Sequence, residues 1–159
     1  MVDKIRVLEK LFNDANAAWD KDNLQRAFEL FGKCAELGDP SCQSNLGYFY
    51  DEGLHIKKEK KLALYWYYKS YRSGNGGAAN NIAILHRENG NANKMLWWFR
   101  RAVALRDGDA LLALGKCYEG SWGVRKNLEK AKNYYHQVLR SKYVTQLSIE
   151  QAQERLAAF

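Results

Sequence analysis

The segment "LGYFYDEGLHIKKEKKLALYWYYK", residues 46–69, lies without a gap over "LGKCYEGSWGVRKNLEKAKNYYHQ", residues 114–137. Identical pairs are Leu46/Leu114, Gly47/Gly115, Tyr50/Tyr118, Lys58/Lys126, Ala63/Ala131 and Tyr67/Tyr135. Ile56 faces Val124, Lys57 faces Arg125, and Trp66 faces Tyr134. A weaker copy, "IAILHRENGNANKMLWWFRR" (82–101), lies between them and is four residues shorter in its middle. A half-copy, "LQRAFELFGKCAELG" (24–38), sets Ala27, Phe31 and Gly38 against Ala63, Tyr67 and Gly74. A chain repeating at 36, 32 and 36 residues is confined to folds in which each unit buries its apolar face on the next.

Each unit reads as two helices. Cys42, Leu46, Phe49, Tyr50 and Gly53 fall at helical spacing over 40–52. Asp39-Pro40 supplies an N-cap followed by a proline in the first turn, where its missing N–H costs nothing. Leu62, Ala63, Trp66, Tyr67 and Ser70 repeat the pattern over 59–73, with Gly74 as the C-cap. Small residues (Gly47, Ala83, Gly115; Ala63, Ala131) recur where a partner helix approaches, with bulky rings beside them. Ser148 and Gln151 stand in capping-box spacing and predict a closing helix over 147–158; a helix over 3–19 covers the other end. Nine helices are expected in all.

The rest of the chain narrows the classes. At 159 residues it suits one domain, 1–159, with repeats at roughly 3–38, 39–74, 75–108 and 109–142. The charged start lacks an apolar signal core and no apolar run reaches spanning length, so no membrane partner and a cytoplasmic location are expected. The net charge of +7 attracts anions without choosing among them. Cys34, Cys42 and Cys117 form no CxxC pair, and an odd number suggests reduced thiols. Nucleophile-elbow, zinc-protease, P-loop and dinucleotide motifs are absent, and His55, His86 and His136 are isolated. The reading is therefore of no enzyme, no cofactor and no metal.

The order A…LG..Y..G.GV…KA..WY.KA…G resembles the Sel-1-like repeat family, relatives of the tetratricopeptide repeats. It is carried by Cys42, Leu46, Gly47, Tyr50, Gly53, Ile56, Ala63, Trp66, Tyr67, Lys69 and Gly74, and again by Ala110, Leu114, Gly115, Tyr118, Gly123, Val124, Lys130, Ala131, Tyr134 and Tyr135. The third unit keeps Ala78, Ile82, Ala83, Trp98, Phe99, Arg101 and Ala102 but loses the glycine-valine loop. The resemblance implies an all-α, right-handed α-α superhelix (a solenoid) of about four helix pairs plus a C-terminal capping helix, acting as an adaptor or scaffold. Some members carry cysteine clasps, and only Cys34 and Cys42 could imitate one. Both stand where the family places small residues, so a buried, reduced, alanine-like role is the expectation.

Binding along the concave face, lined by the first helix of each pair, is what such a superhelix implies. In the tetratricopeptide register its exposed positions are Ser44, Tyr48 and Asp51; Asn80, Ile84 and Arg87; Leu112, Lys116 and Glu119. That mixture of aromatic, apolar, amide and charged groups suits a protein or peptide, with Tyr48 as an anchor and Asn80 and Asn81 holding a backbone. A phosphate-tracking groove would be uniformly basic. The expected partner is thus another protein, acidic in character, in the manner of a bacterial adaptor or of an immunity protein occluding a toxin. The alternative is a nucleic-acid-binding solenoid using the basic edge Lys57, Lys58, Lys60 and Lys61 together with Tyr65, Tyr68 and Trp97, rings that the repeat packing does not claim.

Overall fold

Polar side chains that accept from the first free backbone N–H groups of a helix recur along the chain, and they mark where five of the helices begin. Asn23 accepts from Arg26 N–H, Asp39 from Cys42 N–H, Asn91 from Lys94 N–H, Asn127 from Lys130 N–H and Thr145 from Ser148 N–H. In the computed structural model, which describes residues 2–159, the helices are α1 (Val2–Asp20), α2 (Leu24–Glu36), α3 (Pro40–Glu52), α4 (Lys60–Arg72), α5 (Gly76–Glu88), α6 (Ala92–Ala104), α7 (Asp109–Gly120), α8 (Leu128–Arg140) and α9 (Gln146–Ala157). Nine helices and no strand occur among the described residues, as the repeat pattern requires. The last helix starts earlier than its sequence suggests. Thr145 is its cap, and Ser148 lies buried inside it.

The chain packs as two compact units that divide between Asn75 and Gly76. The first holds α1–α4. Its core is aromatic: Phe31 and Phe49 are fully buried, and Trp19 meets each of them edge-on. Burial of each ring contributes about 2–3 kcal/mol. Gly47 explains itself here, since a Cβ added to it would stand 2.7 Å from the Tyr67 ring of α4. The loop joining α3 to α4 is closed by Glu59 N–H donating to the Tyr50 carbonyl. His55 takes a left-handed backbone (φ 61°) where the matching residue of the later repeat is Gly123 (φ 71°).

Cys34 of α2 and Cys42 of α3 form a disulfide, with their Cα atoms 5.7 Å apart. This corrects the expectation of two reduced thiols. Both positions are buried and tolerate only small groups, as the register implies, yet they also face one another across the α2–α3 turn. Closing so short a loop restricts the unfolded chain by about 2.5 kcal/mol.

The second unit, Gly76–Phe159, holds α5–α9. Tyr135, Val138, Ala131 and Ala152 bury one core, and Ile82, Leu85, Met95 and Phe99 sit between α5 and α6. The α5–α6 turn is the shortened one, with Gly90 in the left-handed region (φ 68°) directly before the cap Asn91. The α7–α8 loop repeats the earlier device: Asn127 N–H donates to the Tyr118 carbonyl, matching Glu59 and Tyr50. Cys117 is a buried free cysteine, and burial pushes its thiol up to about 11. No described helix is long and apolar enough to cross a membrane.

Candidate binding cleft

The site follows from what the first helix of each pair presents five residues after its repeat leucine. In α3 that residue is Asp51, and it is buried. Lys60, at the start of α4, ion-pairs with it, and the Tyr67 hydroxyl donates to its other oxygen at 3.3 Å. Burial, then the Asp51 charge, holds the Tyr67 phenol far above its usual range. In α7 the same place is Glu119, which accepts from the Tyr135 hydroxyl at 2.5 Å and from Arg155 of α9 at 2.5 Å. Partial burial pushes the Glu119 carboxyl up, but the bonds from Tyr135 and Arg155 outweigh it, leaving the group below the usual carboxylate range. Each acid thus fastens the second helix of its pair to the first.

These contacts correct two expectations of exposure. The register places Asp51 in the groove, but its carboxylate is engaged by the Tyr67 and Lys60 side chains. Leu112 is also buried, at 5%, because α9 packs beside α7. Of the basic edge, Lys60 is engaged by Asp51, and Lys58 lies 3.9 Å from Glu52. Lys57 and Lys61 are exposed. Ser44 is half-buried, and Tyr48, 39% exposed, stacks on Trp19 with ring centroids 5.8 Å apart. That stacking covers one face of the Tyr48 ring and leaves part of it accessible. Tyr65, Tyr68 and Trp97 on the second helices are exposed, with Lys69 over the Tyr65 ring and Arg101 over the Trp97 ring.

In the second unit five of the six expected residues come together, and Glu119, engaged by Tyr135 and Arg155, is not among them. Asn80, Ile84 and Arg87 of α5 and Leu112 and Lys116 of α7 line one cleft of about 210 Å³, completed by Ser148 and Gln151 of α9. Its apolar wall includes Phe99 and Cys117, and Asp109 and Trp122 also border it. Lys116 Nζ donates to Gln151 Oε1 at 2.7 Å. Burial, then the charges of Arg155 and Arg87, lowers the Lys116 ammonium below its usual range. Asp109 Oδ1 accepts from both the Thr145 N–H and the Thr145 hydroxyl. Asn80 Oδ1 is buried with no hydrogen-bond partner among the described residues. The register of the repeats could find the α5 and α7 residues. It could not find Ser148 or Gln151, because the closing helix is not one of the repeats, nor Trp122, whose counterpart Leu54 packs against the core of the first unit.

Stacked helix pairs, a recurring small-residue contact and a shared loop closure define an α-solenoid of the tetratricopeptide-like class. The model of the Sel1 repeat matches residues 20–39, 40–75 and 108–137. The chain belongs to the Sel1 repeat family. The shortened α5–α6 pair falls outside the matched segments. Among curated proteins it is similar to the ERAD-associated E3 ubiquitin-protein ligase component HRD3 of Candida glabrata, at 26% identity over 117 residues covering 69% of the chain. It spans 14% of that protein's length. Among solved structures it is similar to a Sel1 repeat protein from Oxalobacter formigenes (TM-score 0.71, 26% identity, covering 81% of this chain and 54% of that one). It also resembles c5321, a protective antigen of uropathogenic Escherichia coli with an SLR fold (TM-score 0.62, 28% identity, 72% of this chain and 25% of that one). The likeness to MamA (TM-score 0.59, 16% identity, 96% and 81%) is one of fold.

Proposed function

We propose that the chain is a non-catalytic protein-interaction module that binds a segment of another protein against the first helices of its repeats. The cleft carries this reading: side chains from α5, α7 and α9 converge there with a mixed apolar, amide and cationic lining. Such a lining suits a peptide better than a nucleic-acid backbone, which calls for a row of cations. The lysine edge serves that alternative less well than its sequence suggests, since Lys58 and Lys60 stand against Glu52 and Asp51. The name of the Candida relative, a component of a ligase, describes a protein that works within an assembly, which fits an adaptor role. A net charge of +7 steers acidic partners, so association slows as salt rises.

The Cys34–Cys42 disulfide favours an oxidising compartment over the cytoplasm expected from sequence. The binding reading is tested by placing a photo-crosslinking phenylalanine at Ile84 and Tyr48 in the source cell. Peptide adducts from one protein are expected at either position. Adducts to nucleic acid alone would overturn the reading.

A further inference from the structure

We propose that the α5–α7–α9 cleft is an anchor for one acidic residue of a bound protein segment, its carboxylate held by Arg87 and Lys116 while an adjacent apolar side chain rests on Ile84. The proposal rests on the protein-binding reading above and names the chemistry of its partner.

The repeats themselves show why Arg87 is available. Its position belongs to Asp51 in one repeat and Glu119 in another, and in both the acid accepts from a tyrosine hydroxyl of the second helix. In the α5–α6 pair the tyrosine is replaced by Phe99, which has no hydroxyl to satisfy. The acid is correspondingly replaced by a cation, and Arg87 has no ion-pair partner among the described residues. The swap turns a fastening position into an exposed positive charge at the edge of a cleft.

Lys116 adds the second charge. Its ammonium is bonded to an amide oxygen, Gln151 Oε1, rather than to a carboxylate. Burial, with Arg155 and Arg87 nearby, disfavours the Lys116 charge, and an incoming anion relieves it. Asp109 borders the same cleft and offsets one of the two cations, so the lining keeps an excess of one positive charge, while its Oδ1 is already engaged by Thr145. Asn80 Oδ1 is a buried acceptor without a donor, which a backbone N–H of an extended segment would supply. The volume of about 210 Å³ takes a side chain or two, not a folded surface. One acid beside one apolar residue fits that space, charge and polarity together, whereas a polyanion would need more cations than the two present.

The test uses the full chain and dodecamers selected from a randomised phage-displayed library, with affinities from fluorescence anisotropy. Enriched peptides are expected to carry Asp or Glu within two residues of Leu, Ile or Phe. Changing that acid to its amide should weaken binding by about ten-fold or more, as should Arg87→Gln, which alters an exposed side chain, and Lys116→Gln. Peptides that bind and compete at the cleft, but whose affinity is unmoved by Arg87→Gln and by loss of the acid, overturn the anchor and leave the protein-binding reading standing. An empty selection, with a fluorescein-labelled oligodeoxythymidylate bound and then released by Arg87→Gln and Lys116→Gln, overturns both.

Discussion

The helix pairs α5–α6 and α7–α8 close the same hairpin with opposite chemistry. In α7–α8, Glu119 accepts from Tyr135 and from Arg155, so an acid and a phenol fasten the pair from within. In α5–α6 those two places hold Arg87 and Phe99. There, closure falls to apolar burial of Met95, Phe99, Ile82 and Leu85 and to a tighter turn. One repeat therefore ties its acid within the pair, and the other leaves an exposed cation without an ion-pair partner among the described residues. The difference teaches that a degraded repeat, judged by its distance from the family pattern, is where function has room to enter.

The contrast is broken most directly at the shared position. Asp51→Ala strands the Tyr67 hydroxyl and the Lys60 ammonium and should cost about 3 kcal/mol, and Glu119→Ala about 2 kcal/mol. Arg87→Ala should stay within about 0.5 kcal/mol. Urea unfolding of the three variants measures this, and equal losses would erase the distinction.

A second approach asks how the fastened pair begins. Asp107 accepts from Ala110 N–H at the start of α7, while burial pushes its carboxyl up to about 6. Between the ordinary carboxylate range and that value the folded chain holds more protons than the unfolded one. Stability from this group is therefore full at low pH and falls as pH rises through about 4 to 6. The swing is at most about 3 kcal/mol from the shift alone, and about 1–2 kcal/mol once partial exposure is allowed for. Thermal melts from pH 4 to 7 should show this slope as the difference between the native chain and Asp107→Asn. A difference with the opposite sign would refute the burial origin.

The finest test converts one pair into the other. Phe99→Tyr combined with Arg87→Glu rebuilds the acid–phenol bond in α5–α6. Double-mutant analysis should give a favourable coupling of about 1 kcal/mol. No coupling would mean that the two pairs differ in more than these two residues.

Much of this arrangement was legible in the residues. The ungapped match of 46–69 to 114–137 gives the helix pairs, and Asp39-Pro40 marks the start of α3 where it is observed. The recurrence of Gly47 and Gly115 announces a close approach, and Tyr67 and Tyr135 are the rings that make it. Tyr48 was legible as an exposed ring, while its stacking on Trp19 was not, because α1 has no copy elsewhere. Asp51 misled because its register position says which way a side chain starts, not which hydroxyl from the neighbouring helix will claim it. Cys34 and Cys42 misled for a related reason: smallness explains burial, and pairing depends on how two backbones face each other across a turn. The last helix lies within one residue of its expected span, but its cap is Thr145, three residues before the Ser148 that the capping pattern suggests.

The bond between Cys34 and Cys42 joins the second helix of one repeat to the first helix of the next. The chain between them is therefore a closed ring. Any one of its peptide bonds can be cut and both fragments still remain tethered, so the α2–α3 turn is a place where the backbone can be opened without the molecule coming apart.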